Sequence, residues 1–462
     1  MEKFLSLLNK QLSLAIRSEA ILRINLLVSC VLIFNQLPKS YSCYNYYSIL
    51  FKPVKFRMKK VFRKLELNGE LDLIDQSYKE FFAKKIINKL PITTPIKVFF
   101  LITHYAVIEH QLALANQLKN SDACNVTIVD ATNSEEIGRK VDLEDFFSGF
   151  QIIRWNSSIF TENIGLVVLQ YPYIQLIKNF IDLNKIATVV FGYGPNLGSS
   201  KLYRGKLRTE YSFPLYHQVS LIGSHNTKEA KLLRKSGVRK NKIFISGDPL
   251  AWDSLSTQFD GEYFNNKYRD QLFDFLWAPH HSKTGHFEDR PGYSNFERDL
   301  QYLYNFAKST DFSFLIRPHA LTLQQIYIPT STYAITNNSS EIWFKLINLK
   351  NVKVSENISM IQDLKNSKCV ITEGSSIIGY GMLLGKPIIL STRSNHIGFK
   401  KIYKKYLKFQ GEFSSEKEFF EACVNIDRDK NYENPGIKKL LLNGIDSPGD
   451  LLLKKILEAK FL

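Results

Sequence analysis

Residues 369–390 read CVITEGSSIIGYGMLLGKPIIL, and the order of residue types in this stretch predicts the fold. An apolar, β-branched run at 369–372 is followed by a Gly/Ser turn and then by a helical stretch over 377–384. A second apolar run covers 387–390. Two short apolar strands joined by a helix form a parallel pair, because a crossover connection is needed to return the chain in the same direction.

Short apolar runs of this kind recur in two sets, one on each side of the polar segment 260–274. Continuous apolar strands that alternate with helices, such as 227–235 and 294–309, are typical of parallel sheets covered on both faces. The first set of predicted strands comprises 96–103, 125–130, 165–169, 188–191, 219–222 and 243–246. The second set comprises 275–278, 312–317, 352–354, 369–372 and 387–390.

The length of 462 residues exceeds one ordinary core and suits two such domains plus an extension. We predict an N-terminal helical and basic extension at 1–92. A Rossmann-like domain at 93–258 and a second Rossmann-like domain at 259–462 follow it. Two doubly wound parallel-sheet domains leave a cleft at the carboxyl ends of their strands, where open α/β sheets bind ligands.

The formal net charge of +17 favours an anionic partner, either a phosphorylated metabolite, an anionic lipid or a nucleic acid. Segment 51–64 carries seven basic residues and three phenylalanines without an acid, which suits an anionic membrane surface. A solvated helix face is the alternative. The apolar stretch 21–34 is shorter than the roughly 20 residues that span a bilayer, so it predicts a buried or interfacial helix.

The five cysteines are scattered and form no CxxC or Cys/His cluster. This pattern argues against a disulfide framework and a structural zinc site, and it favours reduced thiols in the cytoplasm. Together with segment 51–64, it predicts a cytoplasmic protein held peripherally at the inner face of the cell membrane. We expect no cofactor.

Three polar segments follow predicted strands of the second domain, and the first reads WAPHHS at 277–282. Pro279 ends the strand, which leaves His280 and His281 at the edge of the sheet. Histidine accepts a hydroxyl proton near neutral pH, and in its protonated form it donates to a phosphate oxygen. A His-His pair without a catalytic role, as found in many loops, is the alternative.

The second segment reads LIRPH at 315–319 and again stops a strand at a proline. It presents Arg317 and His319 at the same edge. The planar guanidinium group of arginine binds phosphate through two donors, and His319 could add another. A structural pair between Arg317 and a buried carboxylate is the alternative.

The third segment is the turn Glu373, Gly374, Ser375 and Ser376, which opens a helix. Backbone N–H groups at a helix start attract an anion, and the two hydroxyls add donors. Ordinary helix capping is the alternative. Because the carboxyl ends of parallel strands share one edge, the three segments together predict a basic pocket for a diphosphate. The pattern contains no metal-ligand cluster.

The succession WAPHHS, LIRPH and SKCVITEGSSIIGYGMLLGKPII resembles the CDP-glycerol glycerophosphotransferase family. In the first domain, LQYPY at 169–173, FGYGP at 191–195 and FISGDP at 244–249 are similar to strand ends of that family. The resemblance covers about 96–425 and leaves the extension unmatched. It implies a GT-B architecture and an enzyme of teichoic-acid or capsular-polysaccharide synthesis in the cell envelope.

The resemblance also implies a reaction and its ligands. An acceptor hydroxyl, on a polysaccharide or a lipid-linked molecule, attacks the phosphate that carries glycerol in CDP-glycerol, and CMP leaves. It implies that Arg317 and His319 contact the donor diphosphate, that Ser375 and Ser376 bind phosphate, and that a histidine assists the attacking hydroxyl.

The sequence departs from the family pattern at several positions. Glu373 stands where many members have aspartate, and Gly379 stands where many have a second acid. The first-domain loop that supplies a base as Trp-His-Gly reads FGYG here. The base role is therefore assigned to His280 or His281, or to His104, and His319 is a further catalytic candidate. His104 and Tyr193 are candidates on the acceptor side.

Two other functions remain open on the sequence. A GT-B glycosyltransferase could hold a nucleotide-sugar diphosphate with the same groups. A basic protein without catalysis could bind membranes or nucleic acid. The sequence contains no recognisable nucleic-acid-binding motif, however, and we do not expect nucleic acid as a partner. The basic run 399–409 is read as a solvated helix or as a second contact with an acidic polymer.

Overall fold

The structure is a computed structural model of the chain. It describes residues 95–103, 108–119, 121–132, 143–155, 165–169, 187–192, 194, 216, 219–235, 238–255, 267–280, 294–319, 326, 337–357, 359–374, 376–392, 399, 401–444 and 446–459. Both sheets of the molecule belong to one compact unit of the chain. The extension at 1–92, with its apolar stretch 21–34 and its basic segment 51–64, lies outside the described residues. Among the residues that are described, no helix has the length and hydropathy of a membrane span.

The first sheet has seven strands in the order β3-β2-β1-β4-β5-β6-β7. All neighbouring strands are parallel. The central strands are buried over nearly their whole length, as their continuous apolar sequences predict. The strands are β1 (Ile96–Ile102), β2 (Cys124–Asp130), β3 (Gln151–Arg154), β4 (Leu166–Leu169), β5 (Ala187–Phe191), β6 (Leu221–Ser224) and β7 (Ile243–Ile245).

The second sheet has six parallel strands in the order β10-β9-β8-β11-β12-β13. Residues that alternate along β8 face opposite sides, with Phe275 and Trp277 in one core and Leu276 and Ala278 in the other. The strands are β8 (Phe273–Ala278), β9 (Phe314–Ile316), β10 (Val352–Val354), β11 (Ser367–Thr372), β12 (Ile388–Ser391) and β13 (Gly411–Phe413).

Helices connect the strands and cover the sheets. Before β8 they are α1 (Ile108–Lys119), α2 (Leu143–Phe146), α3 (Thr227–Lys235) and α4 (Pro249–Leu255). After β8 they are α5 (Phe296–Ser309), α6 (Asn337–Ile347), α7 (Met360–Lys365), α8 (Ile377–Leu383), α9 (Lys401–Lys404), α10 (Glu416–Asn425), α11 (Pro435–Leu442) and α12 (Pro448–Ala459).

The last two helices, α11 and α12, pack against helices of the first domain. The backbone N–H of Asp248, just before α4, donates to Leu441 O in α11 at 2.7 Å. The N–H of Gly449 in α12 donates to the side-chain oxygen of Gln117 in α1 at 3.0 Å. The apolar core is correspondingly continuous from the first sheet to one face of the second.

Glu109, in the first turn of α1, caps a helix of the second domain. Its carboxylate accepts from the hydroxyl of Ser359 at 2.5 Å and from the backbone N–H groups of Met360 and Ile361 at 2.9 and 3.1 Å. These donors belong to the start of α7, where N–H groups have no partner within the helix. A negative charge at this end also interacts favourably with the helix dipole. One buried carboxylate thus joins the two domains.

The predicted fold class is confirmed: two parallel-sheet α/β domains are present. All the predicted strands exist within a few residues of their predicted bounds, and the predicted helix at 227–235 has the observed bounds of α3. The strands that the sequence did not predict are β3 and β13, which lie at sheet edges. The domain limits 93–258 and 259–462 stay a prediction.

Candidate functional site

The three polar segments of the second domain follow neighbouring strands. The sheet order β9-β8-β11 places the residues after these strands side by side at one edge. His280 comes after β8, and Arg317 and His319 come after β9. The imidazole rings of His280 and His319 have their centroids 6.0 Å apart. The structure therefore brings two of the predicted histidines together.

Glu373 follows β11 and is fully buried. One carboxyl oxygen accepts from the backbone N–H of His280 at 3.0 Å, and the other accepts from that of Asn295 at 2.9 Å. Burial, followed by the nearby Asp299 carboxylate, raises the pKa of Glu373 well above its usual value. The hydrogen bonds hold the backbone of His280 against the end of β11, so Glu373 positions a candidate catalytic histidine.

Arg317 forms the ion pair that the sequence left open. Its Nη1 lies 2.6 Å from Oδ2 of Asp363 and 3.0 Å from the carbonyl oxygen of Asn357. Asp363 is fully buried in α7 and also accepts from the hydroxyl of Ser355 at 2.6 Å and the side chain of Asn357 at 2.9 Å. Arg317 thus anchors the end of β9 to α7, and its contact with a donor phosphate stays a prediction.

The turn after β11 depends on glycine. Gly374 has a φ of 135°, a conformation that residues with a Cβ rarely adopt. Ser376 is the N-cap residue of α8, but its side chain makes no capping hydrogen bond. The start of α8 is therefore set by the backbone of this turn and not by capping from the Ser376 hydroxyl.

The loop after β5 closely approaches the start of α8. At Gly194, whose φ is 58°, an added Cβ would lie 3.1 Å from Oη of Tyr380 and 3.3 Å from Cβ of Ser376. The same point lies 3.3 Å from Cε1 of His110. A side chain at position 194 would crowd all three groups. The glycine therefore allows the carboxyl edges of the two sheets to come close together at this point.

Two of these groups, His110 and Tyr380, belong to a buried polar cluster. Its other members are His225, Glu229, Asp248 and Tyr403. The hydroxyl of Tyr380 donates to Oδ2 of Asp248 at 2.9 Å and lies 3.3 Å from Nδ1 of His110. His225 Nε2 lies 3.6 Å from the same Asp248 oxygen. Tyr380 belongs to α8 and Asp248 to the first domain, so the cluster links them through buried hydrogen bonds.

His225 is the charged centre of the buried cluster. Its Nδ1 lies 3.1 Å from the carboxylate of Glu229, which also accepts from the hydroxyl of Tyr403. Burial disfavours the imidazolium, but Glu229 and Asp248 outweigh it and raise the pKa of His225 to about 9. Burial is the largest effect at His110 and lowers its pKa. The cluster therefore holds one protonated and one neutral histidine at neutral pH.

The raised pKa of His225 predicts a loss of stability at alkaline pH. A proton held more tightly in the folded state stabilises it fully below the ordinary value of 6.5, and this contribution disappears as pH rises from 6.5 to 9. The difference between a pKa of 6.5 in the unfolded chain and one of about 9 in the folded protein corresponds to about 3 kcal/mol of folding free energy. Urea unfolding at pH 6.5 and pH 9 is expected to show this decrease in the natural protein and a much smaller one in His225→Gln. Equal decreases in the two proteins would contradict the assignment.

The other predicted site residues lie outside the described residues. These are His281, Ser375, His104 and Tyr193. Their predicted roles stay predictions.

Sequence reasoning missed the buried cluster because its members come from distant segments. His225 and Asp248 each follow a strand of the first sheet, and this is the signal that could have identified them. His110 lies within α1, where its sequence neighbours indicate only an ordinary helix.

Comparisons with known proteins agree on the architecture. No protein-family model matches the chain, and no curated protein matches its sequence. Among solved structures, the Methanocaldococcus jannaschii UDP-GlcNAc 2-epimerase in complex with UDP-GlcNAc and UDP is similar. Its TM-score is 0.53 at 13% identity, over 79% of this chain and 100% of that chain. The wall teichoic acid polymerase TagF, as a single-residue variant soaked with CDPG, has a TM-score of 0.52 at 14% identity, over 88% of this chain and 98% of that chain.

The UDP-GlcNAc 2-epimerase of Neisseria meningitidis, bound to UDP-GlcNAc, has a TM-score of 0.50 at 14% identity, over 79% of this chain and 100% of that chain. These identities establish a shared fold and no more. Two parallel-sheet domains that match such structures over most of the chain have the GT-B fold.

Proposed function

We propose that this chain is a transferase that moves a glycerol-phosphate-like group from a CDP-activated donor to a cell-surface polysaccharide or lipid-linked acceptor. The observation that carries the proposal is the meeting of His280, Arg317, His319 and the Gly374 turn at one sheet edge, after the adjacent strands β8, β9 and β11. TagF, a teichoic acid polymerase with the same fold and a CDPG soak, supports it.

The proposed chemistry is an in-line displacement at phosphorus. The acceptor oxygen forms a bond to the phosphate that carries glycerol, the bond from that phosphorus to the CMP oxygen breaks, and CMP leaves. His280, His281 or His319 accepts the proton of the attacking hydroxyl. The backbone donors of the 374–376 turn and the Arg317 charge stabilise the anionic diphosphate, so most of the catalysis is positioning and electrostatics.

A nucleotide-sugar reaction is the second candidate. The similarity to UDP-GlcNAc 2-epimerases, in complexes with UDP-GlcNAc and UDP, favours it. In a glycosyltransferase the same groups would hold a sugar-nucleotide diphosphate, but the bond that breaks would join sugar carbon to oxygen. The product would then carry no phosphate from the donor.

A nucleotide panel separates these functions. We expect the thermal midpoint of the purified full chain to rise with CDP-glycerol, CMP and CDP, and not with UDP-sugars or CMP-sugars. A rise with UDP-sugars alone would replace the first function by the second, and no response to any nucleotide would contradict both. For a nucleotide that binds, the phosphate that carries the transferred group is then radiolabelled. Glycerophosphate transfer is expected to leave this label in the polymeric product, and sugar transfer is not.

A further inference from the structure

We propose that a basic surface at the sheet edges binds an anionic phosphodiester polymer, which is the growing acceptor chain of the proposed reaction. The surface consists of Lys228, Lys404, Lys405, Tyr406 and Lys408 and is called here the lysine surface. The identity of the polymer rests on the proposed function. The existence of the binding surface rests on the observations that follow.

The lysine surface draws on both domains. Lys228 is the second residue of α3, which comes directly after the carboxyl end of β6. Lys404 ends α9, the next helix that the structure describes after the carboxyl end of β12, and Lys405, Tyr406 and Lys408 follow it in the chain. These are the strand ends at which the GT-B cleft opens, so the lysine surface lies on the same side of the sheets as the candidate site.

Tyr406 joins the two parts of the surface. The Nζ of Lys228 donates to its hydroxyl at 3.0 Å and lies 4.7 Å from its ring centroid. The Nζ of Lys405 lies 4.6 Å from the same centroid. Hydrogen bonds from Lys228 and then Lys405 lower the pKa of Tyr406. Two ammonium groups therefore lie close to one aromatic ring, and cation–π attraction to the ring offsets part of their mutual repulsion.

Residues at the start of α11 hold the Tyr406 ring in place. A Cβ added at Gly436, in α11, would overlap the Tyr406 ring. The side chain of Asn434 donates to the Tyr406 carbonyl oxygen at 2.6 Å. The two contacts fix the position of Tyr406, so the arrangement of its lysines is a feature of the fold.

The charge of the lysine surface is not neutralised by described residues. None of its four lysines forms an ion pair with any residue that the structure describes, whereas Lys345, Lys417 and Lys455 each pair with a glutamate on their own helix. Like charges held together without acids favour an anionic ligand, because binding releases the counterions that otherwise screen them.

The burial of the apolar residues near the lysine surface indicates whether its ligand is a polymer or a membrane. Leu407 and Phe409 are partly buried and pack against the main core, and the Phe409 ring lies 5.5 Å from that of Phe399. Interfacial membrane binding uses exposed apolar side chains that enter the lipid. The exposed large hydrophobic residues among the described ones lie elsewhere in the chain. The surface therefore fits a hydrophilic polyanion.

The lysine surface is also connected to the candidate site. Tyr403, in α9 next to Lys404, donates to Glu229 of the buried cluster. The cluster continues through His225 and Asp248 to Tyr380 in α8, the helix that begins after Ser376. A polymer on the lysine surface would thus bind beside the network that supports the proposed donor turn.

The test uses the purified full chain and a fluorescent synthetic oligomer of glycerol phosphate with phosphodiester links. The double variant Lys228→Gln/Lys405→Gln is expected to bind it about tenfold more weakly at low salt. The slope of log affinity against log salt is expected to fall by about 1.4, or roughly 0.7 per lost phosphate contact. The control Lys345→Gln/Lys417→Gln removes the same charge from paired lysines and is expected to bind like the natural protein.

Vesicles of phosphatidylglycerol and phosphatidylcholine form the second arm, and both double variants are expected to bind them equally. Unchanged oligomer binding in the lysine-surface variant, or no binding by the natural protein, would overturn the proposal. So would an equal loss of oligomer and vesicle binding. The nucleotide panel is read separately: nucleotide silence together with lysine-dependent oligomer binding would reject the proposed donor and leave the surface intact.

Discussion

Replacing Arg317 with alanine is expected to lower the free energy of unfolding by about 3–5 kcal/mol. The change leaves the fully buried Asp363 carboxylate without its cationic partner, and the donors that remain to it among the described residues are the neutral groups of Ser355 and Asn357. A buried charge that has lost its partner is far more costly than a lost surface pair. Urea unfolding monitored by fluorescence measures the change.

The control for this variant is Lys345→Ala. It breaks an exposed ion pair with Glu341, and its effect is expected to stay within about 0.5 kcal/mol. A change below about 1 kcal/mol in Arg317→Ala would show that solvent reaches Asp363, contrary to the structure. A loss of activity in this variant reports a lost phosphate contact only after the folded fraction has been measured.

Replacing His319 with alanine is expected to reduce kcat by about 10²- to 10⁴-fold, the usual contribution of a general acid or base. His319 lies at the sheet edge beside His280 and is only partly buried, so the thermal midpoint is expected to change little. The measurement is the release of CMP from CDP-glycerol in the presence of acceptor, with the midpoint determined on the same sample.

Lys353→Ala provides the matched control for this second substitution. Lys353 is an exposed residue of β10, the neighbour of β9, and among the described residues its ammonium group contacts Gln271 and the Tyr268 ring. Activity close to normal is expected. If His319→Ala also turned over at a near-normal rate, the role of His319 would be rejected, and His280, His281 and His104 would remain as candidate bases.

The sequence predicted the central strands because they are buried on both faces and therefore read as continuous apolar runs. It did not predict β3 or β13. The side chains of β3 are only partly buried or exposed, so QIIR lacks the apolar run of a central strand. The residues GEF of β13 include a single large apolar residue, so they form no apolar run. The other two edge strands, β7 and β10, consist mostly of apolar residues and were predicted, whereas β3 and β13 are recognised only by their partners.

The sheet edge that carries the candidate site was predictable for a similar reason. Pro279 and Pro318 stop their strands, and the polar residues beside them must lie at the carboxyl edge. The sequence could not decide whether Arg317 binds a carboxylate, because Asp363 lies 46 residues away in another element. The buried cluster was missed for the same reason, since Tyr380 and Asp248 are 132 residues apart. Contacts between distant segments depend on how the domains pack.

The cap that Glu109 provides for α7 has a consequence for synthesis on the ribosome. One of its donors, the hydroxyl of Ser359, is 250 residues further along the chain. At translation rates of about 5–20 residues per second, roughly 12–50 seconds pass between the emergence of the two residues. During this interval the first domain carries a carboxylate whose native donors do not yet exist, so we expect the nascent domain to be less stable than the finished protein and to depend on the second domain for its final packing.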